Sequence, residues 1–293
     1  MNPAYLNGEY GTTDTLKVNV LDRGFLFGDG VYEAYRLYSG RPFTRELHIA
    51  RLERSLAGIE LRLPCSLAEL DEILDRIERM TNYEAYVYIH VTRGVAPRRH
   101  ALPEVFEPTL MVMAVPVGPF AAEIFQNGVG LRSQLDERWL RCTVKSLNLL
   151  ANCLAVTNAN RRGAFEALLI GADGLVNESA SSTFFAVVDG VIRTAPLTRN
   201  ILPGVTRHVV IDLIKEIGMP FDETAVTLEQ ALAADEAFIT NSVVEVLPVT
   251  RIDETVLGPE PGSITRRVME AFGAKVLEEA GGEAVCLAGL KGL

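Results

Sequence analysis

The sequence has few of the residues that build metal sites and disulfide scaffolds. It contains four cysteines, at positions 65, 142, 153 and 286, with no Cys-x-x-Cys spacing, and only four histidines. No histidines, cysteines and carboxylates cluster with the spacing of metal ligands, so we expect no metal site. Because no export signal is evident, we interpret the cysteines as reduced thiols. Cys142 is better explained as a small apolar side chain than as a nucleophile.

Long hydrophobic runs and basic tracts are also missing. The longest apolar run, residues 110–117, contains a proline and is far shorter than a membrane span. Residues 1–10 have no apolar core of signal-peptide length. The net charge of −10 is not offset by any basic tract, which argues against a nucleic-acid-binding surface. We therefore expect a soluble, cytoplasmic protein that binds neither membranes nor nucleic acid.

Glycine-rich nucleotide motifs are absent. The sequence contains neither a GxGxxG motif nor a Walker lysine motif, so a Rossmann or P-loop fold has little support. The segment Gly28-Asp29-Gly30 has only two glycines and leads into a strand rather than a helix. We interpret it as a tight turn.

The length and composition of the chain predict two ordinary globular domains. At 293 residues the chain is long for a single hydrophobic core, and its 48% hydrophobic and 23% charged residues are typical of globular proteins. Turn-forming residues at Gly118-Pro119-Phe120 predict a boundary. We expect a small domain over residues 1–118, a linker at 119–120 and a larger domain over 121–293. Strands and helices alternate irregularly, which predicts an α+β fold.

Local patterns predict most of the elements. The Asn7-Gly8 and Asp189-Gly190 turns each predict a hairpin, and Ser66 with Glu69 forms a capping-box pattern at a helix start. In the first domain we expect strands at 31–38, 85–92 and 109–117 and a helix at 46–61. In the second domain we expect strands at 128–133, 167–170, 175–178, 183–188, 191–194 and 236–240, and helices at 206–217, 228–234 and 264–279. The tail from Gly281 has no predicted function.

The segment around Lys145 is the most informative part of the chain. A strand-like run, 140–144, precedes the lysine, and apolar residues at helical spacing predict a helix just after it, capped by Ser146 or Asn148. An apolar strand-to-helix junction disfavours the charged form of a lysine. A neutral, fixed amine is what Schiff-base chemistry requires. For a lone lysine, a side chain that reaches the surface is the commoner arrangement, so the spacing alone does not point to this chemistry.

One family resembles this segment closely. Residues 138–142, Arg-Trp-Leu-Arg-Cys, followed by 145–150, Lys-Ser-Leu-Asn-Leu-Leu, resemble the lysine segment of D-amino-acid aminotransferases. The resemblance extends from about Tyr5 to about Leu277. It implies a homodimeric pyridoxal-phosphate enzyme of the class IV, fold-type IV group, with Lys145 as the catalytic and cofactor-binding lysine.

The resemblance also implies a set of cofactor residues. Glu178, which without it would be an ordinary solvated acid at a strand end, would keep the pyridine nitrogen protonated. Val205 and Thr206 begin a helix whose free N–H groups suit phosphate. Arg51 resembles the phosphate arginine of the family, although its helical position alone predicts a solvated residue. Asn241 and Ser242 align with a second phosphate contact, where the family more often has Ser-Thr.

A final set of residues is implied for the substrate. The motif Pro97-Arg98-Arg99-His100 resembles the arginine-x-histidine trap that holds the substrate carboxylate, and the resemblance places Tyr32 beside Arg98 and His100. Within the fold, this motif separates D-amino-acid aminotransferases from branched-chain and (R)-amine enzymes. In the family, the loop that carries it reaches the site of the neighbouring subunit.

The expected activity is ping-pong transfer of an amino group between D-amino acids and 2-oxo acids. The nearest alternatives are an (R)-amine or branched-chain transaminase, or an aminodeoxychorismate lyase. Two hypotheses of other classes are a non-catalytic pyridoxal-phosphate-binding protein, which would not need Arg98 and His100, and a phosphate-binding module that uses Lys145 only as a cation.

Overall fold

The computed structural model describes residues 2–118 and 120–290 and divides the chain into two compact units. Unit 1 comprises Met1–Gly118, Val144–Asn148 and Glu279–Gly282, and unit 2 comprises Pro119–Thr143, Leu149–Glu278 and Glu283–Leu293. Residue 119 of the expected linker lies outside the described residues. Among the described residues, no helix is long and apolar enough to cross a membrane.

Unit 1 is built on an antiparallel sheet of six strands in the order β2-β1-β6-β5-β3-β4. The strands are β1 Pro3–Leu6, β2 Glu9–Thr12, β3 Gly30–Tyr38, β4 Arg41–Pro42, β5 Ala85–Thr92 and β6 Thr109–Pro116. The helices are α1 Arg23–Phe27, α2 Arg45–Gly58 and α3 Leu67–Arg79. Helix α2 lies against β3, and α3 lies against β1 and β6.

Alternation along the strands explains the two faces of this sheet. On β3, Val31 and Leu37 are fully buried on the same side as Glu33, whereas Tyr32 points to the opposite, partly exposed face. The predicted capping box of α3 is confirmed, because the Ser66 hydroxyl accepts from the Glu69 amide and the Glu69 carboxylate accepts in return from the Ser66 amide.

Unit 2 is built on a mixed sheet of nine strands in the order β12-β11-β10-β13-β14-β7-β8-β9, with β15 paired to β14. The strands are β7 Val129–Leu135, β8 Glu166–Ile170, β9 Val176–Ser179, β10 Thr183–Val188, β11 Val191–Thr194, β12 Phe221–Asp222, β13 Glu236–Asn241, β14 Glu245–Ile252 and β15 Thr255–Val256. The helices are α4 Glu123–Gln126, α5 Leu150–Arg161, α6 Val205–Glu216, α7 Leu228–Leu232, α8 Ser263–Ala280 and a 3-10 helix, Val285–Gly289.

The predicted structure around Lys145 is wrong in two respects. Residues 140–144 form turns rather than a strand, and α5 begins at Leu150 rather than just after Lys145. Neither Ser146 nor Asn148 caps it, because the N-cap residue is Leu149 and its side chain makes no capping hydrogen bond. Residues 144–148 group with unit 1, although the predicted boundary assigned Lys145 to the larger domain.

The tail beyond α8 returns to unit 2. The buried carboxylate of Glu245, at the start of β14, accepts hydrogen bonds from the backbone N–H groups of Val285 (2.9 Å) and Cys286 (2.8 Å). Because these N–H groups lie at the start of a 3-10 helix, they have no helical acceptor of their own. The tail is therefore held by β14.

Candidate active site

Lys145 lies in an extended segment that pairs with β3. Its carbonyl accepts from the Tyr32 amide (2.9 Å), and the Leu147 amide donates to the Gly30 carbonyl (3.1 Å). The Lys145 amide donates to the Ser55 hydroxyl of α2 (3.1 Å). This pairing fixes the backbone of the lysine, so its side chain starts from a defined point on the sheet.

The amine of Lys145 lies over an aromatic floor. Its Nζ atom is 4.3 Å from the centre of the Tyr32 ring, and the Tyr32 ring stacks on Tyr88 with centroids 5.4 Å apart. Tyr88 in turn contacts His90 at 5.9 Å. Strand register explains the cluster, because Tyr32 lies opposite His90 across the β3–β5 pair. Tyr32 and Lys145 are therefore neighbours, a contact that the sequence did not predict, because the resemblance placed Tyr32 only beside Arg98 and His100.

Arg51 is buried, so the expectation of a solvated helix residue is wrong. Its guanidinium binds the carboxylate of Glu33 through two nitrogens, at 2.8 and 2.6 Å, and His48 Nδ1 lies 3.0 Å from the same carboxylate. Burial would raise the pKa of Glu33, but the charge and hydrogen bonds of Arg51 hold that pKa far below its usual range. Burial lowers the pKa of His48, which favours the neutral imidazole. The role of Arg51 towards phosphate stays a prediction.

Arg98 and His100 lie on residues 93–108, which we call the clamp loop. The loop joins β5 to β6 without helix or strand, and both side chains are exposed. The Arg98 guanidinium carbon lies 5.4 Å from the centre of the Phe27 ring, and the His100 ring lies 5.7 Å from it. The structure thus brings the two predicted carboxylate-binding residues to one aromatic side chain.

In unit 2, Glu178 is a buried carboxylate near the end of β9. It accepts from Arg138 (2.6 Å) and from the backbone N–H of Leu202 (3.1 Å). Arg138 is also held by Asp136 (2.8 Å) and by the carbonyl of Asn200 (3.1 Å). Burial raises the pKa of Glu178, while the charge of Arg138 opposes that rise. A carboxylate of raised basicity is well suited to share a proton with a weakly basic ring nitrogen.

The start of α6 has no side-chain cap. Gly204 occupies the N-cap position and supplies no side-chain acceptor, and Val205 and Thr206 are buried. The first N–H groups of any helix lack partners within the helix, and the helix dipole makes this end attractive to anions. Phosphate binding at this helix terminus stays a prediction.

Asn241 is the last residue of β13, and Ser242 begins the turn that leads to β14. The side-chain oxygen of Asn241 accepts from the amides of Val243 (2.7 Å) and Val244 (2.8 Å), and its Nδ2 donates to the Ser182 hydroxyl (2.9 Å). The Asn241 side chain is thus engaged in shaping the turn. A phosphate contact by these two residues stays a prediction.

One buried acid near Glu178 was not predicted. Glu166, on β8, accepts from the hydroxyls of Ser181 (2.9 Å) and Ser182 (2.8 Å) and from the Ser181 amide. Burial raises its pKa above the ordinary value. Its position between Phe165 and Ala167 was the available sequence signal, because a lone acid within an apolar strand needs partners.

The predicted residues thus fall into two sets. Unit 1 holds Lys145, Tyr32, Arg51, Arg98 and His100, and unit 2 holds Glu178, Val205, Thr206, Asn241 and Ser242. Within the described residues, no group of histidine, cysteine, aspartate and glutamate could hold a metal ion.

Comparison with known proteins identifies the family. The family model described as amino-transferase class IV matches residues 30–252. A D-alanine aminotransferase from Bacillus licheniformis is 42% identical over 275 residues, which cover 93% of this chain and 96% of that protein. One from Staphylococcus epidermidis is 39% identical over 276 residues, which cover 93% of this chain and 97% of that protein.

The similarity extends to solved structures. The branched-chain amino acid aminotransferase from Escherichia coli superimposes with a TM-score of 0.85 at 26% identity, covering 96% of this chain and 95% of that one. The predicted α+β, fold-type IV architecture is confirmed. A further branched-chain amino acid aminotransferase of this fold was solved with pyridoxamine 5'-phosphate. The chain therefore belongs to the class IV aminotransferase family, and it is a pyridoxal-phosphate-dependent aminotransferase.

Proposed function

We propose that this chain transfers amino groups between D-amino acids, such as D-alanine, and 2-oxo acids. One observation carries the proposal. Unit 1 contains Lys145, whose backbone pairs with β3 and whose amine lies above the Tyr32 ring, and it also contains the clamp loop with Arg98 and His100. The similarity to D-alanine aminotransferases, at 42% identity over nearly the whole chain, supports it.

The residues present fit pyridoxal phosphate. The cofactor carries a dianionic phosphate, a weakly basic ring nitrogen and an aldehyde, and when bound it supplies an electron sink for the substrate. Val205 and Thr206 would hold the phosphate with backbone N–H groups and a hydroxyl, and Arg51 would add a cation. The buried hydroxyls of Ser179 and Thr240, on β9 and β13, have no hydrogen-bond partner among the described residues, which is consistent with a polar ligand in unit 2.

Lys145 has two roles in this proposal. Its Nζ would hold the cofactor covalently. Once released, the amine would remove the Cα proton of the substrate, and in the second half of the transfer it would give a proton to Cα of the new amino acid. The aromatic ring of Tyr32 limits where the amine can move. The backbone hydrogen bonds to β3 keep the lysine in one place during both tasks.

Glu178 would hold a proton at the ring nitrogen. Arg138 and the Leu202 amide orient its carboxylate by hydrogen bonds, and exclusion from water strengthens each of these interactions. The raised pKa of Glu178 makes the carboxylate a stronger acceptor for that proton.

Arg98 and His100, with Tyr32, would bind the substrate α-carboxylate. An arginine fork binds a carboxylate through two parallel hydrogen bonds, which fixes both position and orientation. We infer that the protein is a homodimer in which the clamp loop serves the site of the partner. The loop is exposed at Leu102 (49%) and Val105 (87%), as expected of a segment that a second copy covers. The free thiols support the predicted cytoplasmic location.

A comparison of two donors tests the proposal. With 2-oxoglutarate as acceptor, we expect D-alanine to give a much higher kcat/KM than L-leucine. The comparison is informative because solved relatives of the same fold are branched-chain aminotransferases. A preference for L-leucine would show that Arg98 and His100 do not define a D-amino-acid site.

A further inference from the structure

Helix α1 supplies the contacts that support the tip of the clamp loop. The Arg23 guanidinium donates to the carbonyl of Arg99 (2.7 Å), the residue between Arg98 and His100. The Phe27 ring, one turn along the same short helix, contacts both the Arg98 guanidinium and the His100 ring. Thus α1 contacts the clamp loop in two ways, through the backbone carbonyl of Arg99 and through the side chains of Arg98 and His100 on either side of it.

Arg23 is itself held rigidly. It is 3% exposed, and its Nε donates to Asp29 (2.6 Å), which also accepts from Arg93 Nε (3.0 Å). Arg93 in turn donates to the carbonyls of Ile59 (2.7 Å) and Glu60 (2.9 Å) at the end of α2. The Asp29 carboxylate therefore links Arg23, which holds the tip of the loop, to Arg93, which is the first residue of the loop.

Helix α1 is fixed to the strands that carry the loop. The Asp22 carboxylate caps α1 by accepting from the Gly24 amide (2.8 Å) and also accepts from the Thr109 hydroxyl on β6 (2.7 Å). A Cβ atom on Gly24 would lie 2.2 Å from a methyl carbon of Thr92 on β5, so only glycine allows this approach. The helix is thus a rigid reference point for an otherwise irregular loop.

A long loop without regular structure needs such a reference to bind a ligand well. Ordering flexible side chains during binding subtracts from the affinity, and sites that are held in place beforehand avoid that loss. Arg98 and His100 are exposed and sit on such a loop. Their positions are constrained by the contacts with α1.

We propose that Arg23 and Phe27 are positioning residues for recognition of the substrate carboxylate. Arg23 fixes the loop backbone at Arg99, and Phe27 orients the Arg98 and His100 side chains through its ring. This inference rests on the proposed role of Arg98 and His100. It assigns a function to α1, which contacts neither Lys145 nor Tyr32 in the contacts described above.

The test compares two amines that differ only in the carboxylate. D-alanine and D-alaninol share the same Cα configuration, but D-alaninol carries a hydroxymethyl group where D-alanine has the carboxylate. With the holoenzyme, kcat and KM are measured for D-alanine, and the half-reaction with D-alaninol is followed by loss of the visible cofactor band. The ratio of the two kcat/KM values reports carboxylate recognition alone.

We expect Phe27→Leu to raise KM for D-alanine roughly two- to fivefold, the effect of one lost cation–π contact, with little change in kcat. Arg23→Lys should raise KM by roughly tenfold or more, because lysine lacks the planar fork needed to hold Asp29 and the Arg99 carbonyl together. Reaction with D-alaninol should be unchanged in both variants. Phe27→Tyr, which keeps the aromatic face, should behave like the parent enzyme.

Two further variants serve as references. Phe221→Leu makes the same substitution at a half-buried ring beside Lys215 in unit 2, and it should leave both amines unaffected. Arg98→Ala should lower the preference for D-alanine over D-alaninol strongly. Combined with Arg98→Ala, Phe27→Leu should raise KM by a smaller factor than it does alone, because the part of its effect that passes through Arg98 is already lost.

The outcomes separate this inference from the proposed function. If Arg98→Ala lowers the preference for D-alanine but Phe27→Leu and Arg23→Lys do not, the positioning role is wrong and the clamp stands. Equal losses for both amines in the two α1 variants would mean that α1 is only structural, which also overturns the inference. If Arg98→Ala leaves the preference unchanged, the clamp itself is wrong and the inference falls with it.

Discussion

At the scale of single residues, the surroundings of each charged group determine what it can do. Glu178 is fully enclosed, yet it has an arginine and a backbone N–H as hydrogen-bond partners. Burial raises its pKa, and the charge of Arg138 opposes that rise. The same side chain at an exposed strand end would have neither the basicity nor the fixed orientation that a ring nitrogen requires.

Replacement of this carboxylate is the prediction at the residue scale. Glu178→Gln keeps an acceptor for Arg138 and Leu202 but removes the charge that, in the proposed function, would hold a proton at the ring nitrogen. We expect turnover to fall by roughly a hundredfold to ten-thousandfold while the cofactor still binds. Steady-state kinetics with D-alanine and the visible spectrum measure the two effects. Glu216→Gln, at an exposed position on α6, is the control, and near-normal turnover of Glu178→Gln would show that another group holds the nitrogen.

The identities of these residues could be predicted from the sequence, but their burial could not. Glu178 and Arg51 follow from the family resemblance. The partner of Arg51 is Glu33, 18 residues earlier and on another element, so helical periodicity alone placed Arg51 on a solvated face. Phe27 and Arg23 gave no signal, because their partners on the clamp loop lie far along the chain, and Arg99 is 76 residues from Arg23.

At the scale of elements, the sequence predicted the features that depend only on neighbouring residues, such as tight turns. The hairpin turns at Asn7-Gly8 and Asp189-Gly190 have positive φ at both residues, as two-residue turns of this type require. The Lys145 segment was mispredicted because its partners are distant. Asn148, for example, contacts the carbonyl of Gly28, 120 residues away. An apolar pattern that a helix would explain instead serves an extended segment paired with a strand.

The pairing of α2 with β3 through Arg51 and Glu33 gives a prediction at this scale. Arg51→Met leaves a fully buried carboxylate without its cation. We expect the free energy of unfolding of the apoenzyme to fall by about 3–5 kcal/mol at pH 7, measured by urea denaturation. Arg54→Met, at an exposed position on the same helix, should change it little.

The pH dependence of this loss in the free energy of unfolding follows from the direction in which the pKa of Glu33 is shifted. With Arg51 present, the folded-state pKa of Glu33 is lowered, so the pair stabilises the fold above the unfolded pKa and loses that effect as the pH falls through the folded pKa. Without Arg51, burial raises the pKa of Glu33, and protonation of the carboxylate removes the free-energy cost of burying its charge. The deficit of Arg51→Met should therefore shrink between pH 7 and pH 5. A deficit that is equal at both pH values would contradict a role of the carboxylate charge.

At the scale of the whole molecule, the prediction concerns the assembly. If each site takes Lys145 from one subunit and Arg98 from the other, a mixed dimer of Lys145→Ala and Arg98→Ala subunits has one intact site. Random reassociation makes about half of the dimers mixed, so about a quarter of the parent activity should return. A mixture that reassociates normally yet stays as inactive as either variant would show that Arg98 serves its own chain.

We propose that Lys145 binds the cofactor, and one measurement tests this role directly. Borohydride reduction of the holoenzyme should bleach the visible band and fix the cofactor irreversibly to the protein. Proteolysis and mass spectrometry should then find the label on the peptide that contains Lys145, and Lys145→Ala should take up no label. Label on another lysine, or an unreduced band in the parent enzyme, would contradict the role of the segment that pairs with β3.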